Sequence, residues 1–319
     1  MKGLSNASAT VRVIDSEGAG QRIDNFLLRE LKGVPRSHVY RLLRSGEVRV
    51  NSRRVDATCR LEAGDKVRIP PVRTAAPAAA PAAKAAFPDP GFRVVFEDDA
   101  MLVIDKPSGM AVHGGSGISF GVIERLRASR EELRFLELAH RLDRETSGLL
   151  MIAKKRSALT ALHAALREGR VRKEYLALVK GRWAGGRRVV DVPLRKYLTG
   201  EGERRVSVDR AEGKRSRTIL APERAAGPYT LLRATLETGR THQIRVHAAH
   251  LGHPLLGDDK YGDFELNKLL AKRGVLKRMF LHAARIELDH PLTGQRLVLD
   301  APLPEELADC LAQATRTND

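Results

Sequence analysis

Cysteine is almost absent from this chain: Cys59 and Cys310 are the only two in 319 residues. They lie too far apart in sequence and context to suggest a staple, and their scarcity suits a reducing cytoplasm with both thiols free. Long apolar runs are missing too. None approaches the roughly 18 residues that a membrane-crossing helix needs. The opening Met-Lys-Gly-Leu-Ser-Asn-Ala-Ser-Ala-Thr lacks the apolar segment of a secretory signal. A cytoplasmic protein with no membrane partner is expected. No repeat recurs at a solenoid period. Histidine does cluster, at His242, His247, His250 and His253, but the zincin spacing and a nearby cysteine are lacking. No metal is expected there, and His242 and His247 are expected to shape a pocket wall.

Acidic residues are in short supply. Fifty-six Lys and Arg face 39 Asp and Glu, a formal net charge of +17. Such an excess attracts polyanions. Arginine dominates, and its planar fork suits bidentate phosphate contact and stacking on bases better than lysine does. A GC-rich genome would also raise Arg and Ala, so the charge carries weight only beside the motifs below. A nucleic acid is the expected partner, RNA ahead of DNA.

Taken in order, residues 1–19 read as a lead-in with one short strand at Val11 to Ile14. Residues 20–72 form a basic module with twelve Lys/Arg against six acids. Arg22 to Leu31 has helical spacing, and Ser37 is placed to cap a second helix running through Leu43. Ser45-Gly46 ends that helix, and strands follow at Glu47 to Asn51 and Asp65 to Ile69. Residues 73–91, almost all Ala and Pro over 74–86, read as a semi-rigid spacer and domain boundary. From 92 to 319 the pattern is one α+β domain of short strands, turns and a few helices. Strands are expected at Phe92–Glu97, Met101–Asp105, Lys173–Val179, Val189–Val192, Tyr229–Glu237, Leu281–Leu288 and Arg296–Leu299. Helices are expected at Ile118–Ala128, Ser157–Glu168 and Pro304–Gln313. The glycines of His113-Gly114-Gly115-Ser116-Gly117 could cradle a phosphate, but without a Lys-Ser/Thr pair they read as a plain loop.

The densest chemistry lies in His140 to Lys155, His-Arg-Leu-Asp-Arg-Glu-Thr-Ser-Gly-Leu-Leu-Met-Ile-Ala-Lys-Lys. Leu149 to Ala153 reads as a buried strand, and Thr146-Ser147-Gly148 as the turn into it. Asp143 stands between Arg141 and Arg144. A carboxylate held by guanidinium groups stays ionised and can serve as a nucleophile. Alone, this arrangement would more often be an ordinary loop salt bridge.

Three further segments change that weighting: Asp105-Lys106-Pro107-Ser108-Gly109, Lys173-Glu174-Tyr175-Leu176-Ala177-Leu178-Val179 and Gly239-Arg240-Thr241-His242-Gln243-Ile244-Arg245-Val246-His247. With His140 to Gly148, they resemble in order the RluA-type pseudouridine synthases, over about Gly20 to Leu311. The likeness is strongest to those that act on bacterial large-subunit (23S) ribosomal RNA. The helix-helix-strand order of 20–72 resembles the S4 RNA-binding fold. The resemblance implies an α+β chain: a small S4-like domain joined to a mixed, mainly antiparallel sheet with flanking helices.

It implies an isomerase that turns several specific uridines into their C-glycosides by base flipping, with no cofactor. Asp143 matches the nucleophile, attacking the sugar C1′ or the base C6. Arg245 matches its basic partner, and Tyr175 the aromatic against the target base. Arg141 matches the residue filling the gap left by the flipped uridine. Arg36, Ser37, Arg41 and Arg44 become the expected phosphate contacts of the S4-like helices. The expected partner is the ribosomal RNA or its assembly intermediate, met by a monomer. A transfer-RNA or dual-substrate enzyme, and a non-catalytic ribosome-assembly factor, are the alternatives.

Overall fold

The computed structural model describes residues 9–15, 18–31, 33–72, 91–114, 120–133, 135–200 and 202–316. Residues 73–90 of the Ala/Pro spacer and the Gly115-Ser116-Gly117 part of the glycine cluster lie outside them. The chain divides into two units, Met1–Ala86 and Phe87–Asp319.

The first unit contains β1 (Thr10–Val13), α1 (Ile23–Glu30), α2 (Arg36–Ser45), β2 (Arg49–Val50) and β3 (Lys66–Ile69). The strands form an antiparallel sheet in the order β1-β3-β2. Ile23, Phe26 and Leu27 of α1 and Val39, Leu42 and Leu43 of α2 meet Val48 and Val67 in one core. Buried Asp24 ties the helices together, accepting from Arg22 Nη2 at 2.7 Å and Tyr40 Oη at 2.9 Å. Gly46, in the left-handed conformation (φ 73°), ends α2. Ser37 is not its cap. Pro35 occupies that position, its preset φ of −56° leading into a helix that starts at Arg36, so Ser37 is already helical.

The second unit opens with β4 (Arg93–Glu97), β5 (Met101–Lys106), α3 (Val122–Ser129), β6 (Glu137–Leu138), β7 (Ser147–Ala153) and α4 (Arg156–Arg167). Strands β8 (Arg172–Lys180), β9 (Arg188–Asp191), β10 (Leu194–Leu198), β11 (Arg204–Val208), β12 (Arg217–Ala226) and β13 (Tyr229–Leu236) follow. The chain closes through α5 (Gln243–His250), α6 (Phe264–Lys272), β14 (Leu281–Asp289), β15 (Arg296–Asp300) and α7 (Glu305–Arg316). The main sheet runs β4-β5-β7-β14-β8-β13-β12-β9, with β15 on β14 and β6 on β7. Strands β10 and β11 pair separately. This is the mixed, mainly antiparallel sheet with flanking helices that the family resemblance implied.

Strand β7 is buried along its whole length because the sheet is covered on both faces. Its alternation divides it between two cores: Leu150 and Ile152 enter one, Leu149, Met151 and Ala153 the other. The strand begins at Ser147, earlier than its apolar run, because Ser147 and Gly148 pair in parallel with His282 and Ala283 of β14. Gly148 is required there. It sits at φ +108°, and a Cβ would come within 2.3 Å of the Ala283 carbonyl oxygen. Ser147 is held beneath by Arg278 Nη2 at 2.7 Å and His282 Nδ1 at 2.9 Å. The polar turn ahead of β7 is thereby fixed at the end of a central strand.

Candidate active site

The turn from His140 to Thr146 is anchored on three sides. His140 Nε2 accepts the Met151 backbone N–H at 3.0 Å. The Lys106 ammonium donates to the carbonyls of Pro107, Met110 and Arg144, at 2.7, 2.8 and 3.1 Å. Burial, followed by the nearby Arg278 charge, pushes that ammonium down to about 7. Ser108 Oγ donates to the Glu145 carbonyl at 2.8 Å. The Asp-Lys-Pro-Ser-Gly segment thus serves as a clamp on the Asp143 turn.

Asp143 is not held by its sequence neighbours. Arg144 turns to Glu145, with Nε 2.8 Å from Oε1, and Arg141 is exposed. The cation facing Asp143 Oδ2 is Arg245 of α5, with Nη1 at 3.6 Å, and His242 Nε2 lies at 3.9 Å. Adjacent side chains on an irregular turn diverge, whereas α5 delivers Arg245 from across the sheet.

Arg245 is only 4% exposed, so it is no surface helix charge. Its Nε and Nη2 grip fully buried Asp258 at 2.7 and 2.5 Å, and Nη2 also reaches Asp259 at 2.9 Å. Burial opposes ionisation of Asp258. The Arg245 fork and the N–H groups of Lys260 and Tyr261 outweigh it and hold the carboxyl below its usual range. The guanidinium is correspondingly raised, since these carboxylates exceed the cost of its burial. One Nη1 edge is left toward Asp143.

His242 caps α5 with φ 53°, a sparsely populated conformation for a non-glycine residue. Its Nδ1 lies 2.8 Å from Tyr261 Oη, and burial lowers its pKa. Tyr175 projects from β8 and is 6% exposed. Burial, then the Asp143 charge, raises its phenol, so the hydroxyl stays protonated.

Two cavities, of about 520 and 430 Å³, meet at this point. Arg141, Leu142, Asp143, His242 and Arg245 line both, and Tyr175 lines the larger. The sequence-derived group Asp143, Tyr175, Arg245 and Arg141 therefore converges on one place. Arg36, Ser37, Arg41 and Arg44 are exposed on α2 in the other unit, opposite its buried Val39, Leu42 and Leu43.

Sequence reading missed the roles of Asp258, Asp259 and Tyr261. The structure gives both acids to Arg245. Their one local signal is Gly257-Asp258-Asp259-Lys260-Tyr261-Gly262, a polar segment between glycines. The neighbouring histidines also have partners: His247 meets Thr218 Oγ1 at 2.8 Å and Ser216 Oγ at 3.1 Å, and His253 meets the Lys180 carbonyl at 2.9 Å. The Gly114 N–H donates to Glu124 Oε2 at 3.0 Å, so it is already occupied and not offered to a phosphate.

Burial holds His140 down at about 3, aided by Lys173, and His247 at about 4. Each is neutral in the fold at pH 7. As pH falls below about 6.5, the unfolded chain takes up these protons while the folded chain does not, so stability is lost from there down to about 4 for His247 and about 3 for His140. The urea midpoint of this unit should be lower at pH 5 than at pH 7, and His247→Gln should narrow the gap. Equal midpoints would refute the assignment.

Comparison with known proteins agrees with this geometry. Residues 100–250 match the RNA pseudouridylate synthase family and residues 21–67 the S4 domain. The chain is 53% identical over 310 residues to ribosomal large subunit pseudouridine synthase C of Salmonella typhimurium and of Escherichia coli, covering 95% of this chain and 96% of each relative. The Yersinia pestis protein of that name is 51% identical over 312 residues, 96% of both chains. Among solved structures, human RNA pseudouridylate synthase domain containing 4 aligns with a TM-score of 0.57 at 25% identity, covering 70% of this chain and 93% of that one. No helix among the described residues is long and apolar enough to cross a membrane. With four ordered motifs converging on one carboxylate and half its residues shared with these enzymes, the chain belongs to the RNA pseudouridylate synthase family and is an isomerase.

Proposed function

We propose that this enzyme isomerises several specific uridines of bacterial large-subunit ribosomal RNA, free or in an assembly intermediate. It does so as a monomer, without a cofactor. The observation that carries the mechanism is Asp143 at the junction of two cavities, facing an Arg245 that is locked by buried Asp258. The reaction breaks the N1–C1′ bond, turns the uracil and joins C5 to C1′, with the C5 proton lost and N1 taking up a proton in its place. It is redox-neutral.

Asp143 is the nucleophile, at C1′ or at C6. Arg245 orients the carboxylate, and Tyr175 provides the shelf for the uracil. Extruding a base costs a few kcal/mol, and Arg141, exposed and lining both cavities, offsets part of this by filling the vacated stack. Residues 20–72 act as an S4 module in which Arg36, Ser37, Arg41 and Arg44 contact phosphates. Such contacts position the RNA without reading its sequence. The spacer at 73–91 then separates that module from the catalytic domain at 92–319.

Pseudouridine mapping by carbodiimide primer extension tests this directly. Large-subunit RNA from cells lacking the gene should lose defined stops that the wild-type gene restores and Asp143→Asn does not. If no stop changes there but transfer RNA loses one, the substrate assignment falls.

A further inference from the structure

The larger cavity holds more positive charge than its own acids answer. Two carboxylates line it, Asp143 and Glu237, and each already has a guanidinium: Arg245 at 3.6 Å and Arg217 at 3.1 Å respectively. Arg141, Arg167 and Lys173 line the same cavity, and none of them forms an ion pair among the described residues.

Lys173 is the most informative of these. It lies two residues before Tyr175 on β8, so both side chains leave the same face, roughly 6.6 Å apart along the strand. Glu174, between them, points the other way, where Arg172 and Arg233 answer it at 2.5 and 3.0 Å. On the cavity face no acid answers Lys173. A Cβ at Gly239 would lie 3.6 Å from its Nζ, so the ammonium rests against the loop leading into α5. Burial lowers its pKa with no opposing contribution. A charge is therefore held, partly desolvated, beside the shelf for the uracil, and a bound anion would compensate it.

We infer that Lys173, with Arg167 of α4 in the same cavity, holds an RNA backbone phosphate adjoining the flipped-out uridine. This rests on the RNA substrate proposed above and adds a second point of fixation to it. The base lies on Tyr175 while the phosphate is gripped one pleat further along β8. A compact ammonium suits a single phosphodiester charge, and the contact positions the nucleotide without reading sequence.

The test uses a short RNA in which the wild-type enzyme forms pseudouridine. Phosphates near the target uridine are replaced one at a time by neutral methylphosphonates, and single-turnover kinetics are followed. One position should raise the half-saturation concentration about tenfold for the wild type, and cost Lys173→Gln nothing further. Lys173→Gln itself should raise half-saturation by a similar factor and reduce the salt slope by about 1. Its maximal rate should stay within about threefold, and Lys173→Arg should restore most of the affinity. The inference is overturned if no position affects the wild type, if the two losses are additive, or if the salt slope is unchanged. Should the wild type convert no ribosomal RNA fragment at all, it is the substrate assignment that fails.

Discussion

Asp143→Asn lowers the rate of pseudouridine formation on the order of 10⁵-fold, the scale at which removing a nucleophile acts, while RNA affinity changes by less than about threefold. The reasoning separates charge from shape. Asparagine fills the same space between the cavities, and its carbonyl can still face Arg245, whose Nη1 lies 3.6 Å from the native carboxylate. The amide, however, cannot attack carbon as a carboxylate does. Binding depends instead on cations spread over a chain of net charge +17 and on the cavity walls, which the substitution leaves in place. Single-turnover rates and filter-binding affinities on one RNA check both halves. A rate within tenfold of wild type would remove Asp143 from the nucleophile's role, and a large loss of affinity would mean that the carboxylate organises the RNA site.

Much of this arrangement was legible because its residues carry local signals. The apolar run of Leu149 to Ala153 announces a strand covered on both faces, and the ordered motifs single out Asp143, Tyr175 and Arg245, which line one cavity. What stayed hidden is carried by distance in sequence. Asp258 and Asp259 sit 13 and 14 residues beyond Arg245 in a segment without periodicity, so nothing local says that they lock its guanidinium. Arg141 and Arg144 misled for the converse reason: adjacency in sequence suggested contacts with Asp143 that the turn geometry denies. Strand β12 was obscured by Pro222 and a register shift between Pro222 and Arg224, which interrupt its alternation. The β10–β11 hairpin escaped because four of the five β10 residues are exposed, leaving little apolar pattern to read. Ser37 was a reasonable cap on composition, but Pro35 starts the helix first.

Asp258→Ala destabilises the catalytic domain by about 3–5 kcal/mol, the range for breaking a buried pair from one side, and lowers the rate as well. Asp258 is fully buried and Arg245 nearly so, so solvent screening gives no relief. The alanine variant leaves the guanidinium without its bidentate partner and strands the backbone N–H groups of Lys260 and Tyr261, which donate to Asp258 Oδ1 at 2.8 and 3.0 Å. Asp259 and Asp143 remain to face the cation, so folding is weakened rather than abolished. Adding Arg245→Met separates the two roles. An apolar side chain of similar length removes the buried charge, so the double variant should recover part of the lost stability in urea unfolding. Recovery stays partial because the two N–H groups remain unpaired. Its activity should not recover, since nothing then orients Asp143. If stability and single-turnover rate rise together, Arg245 acts only as a strut, and the pairing across 3.6 Å has no part in the chemistry.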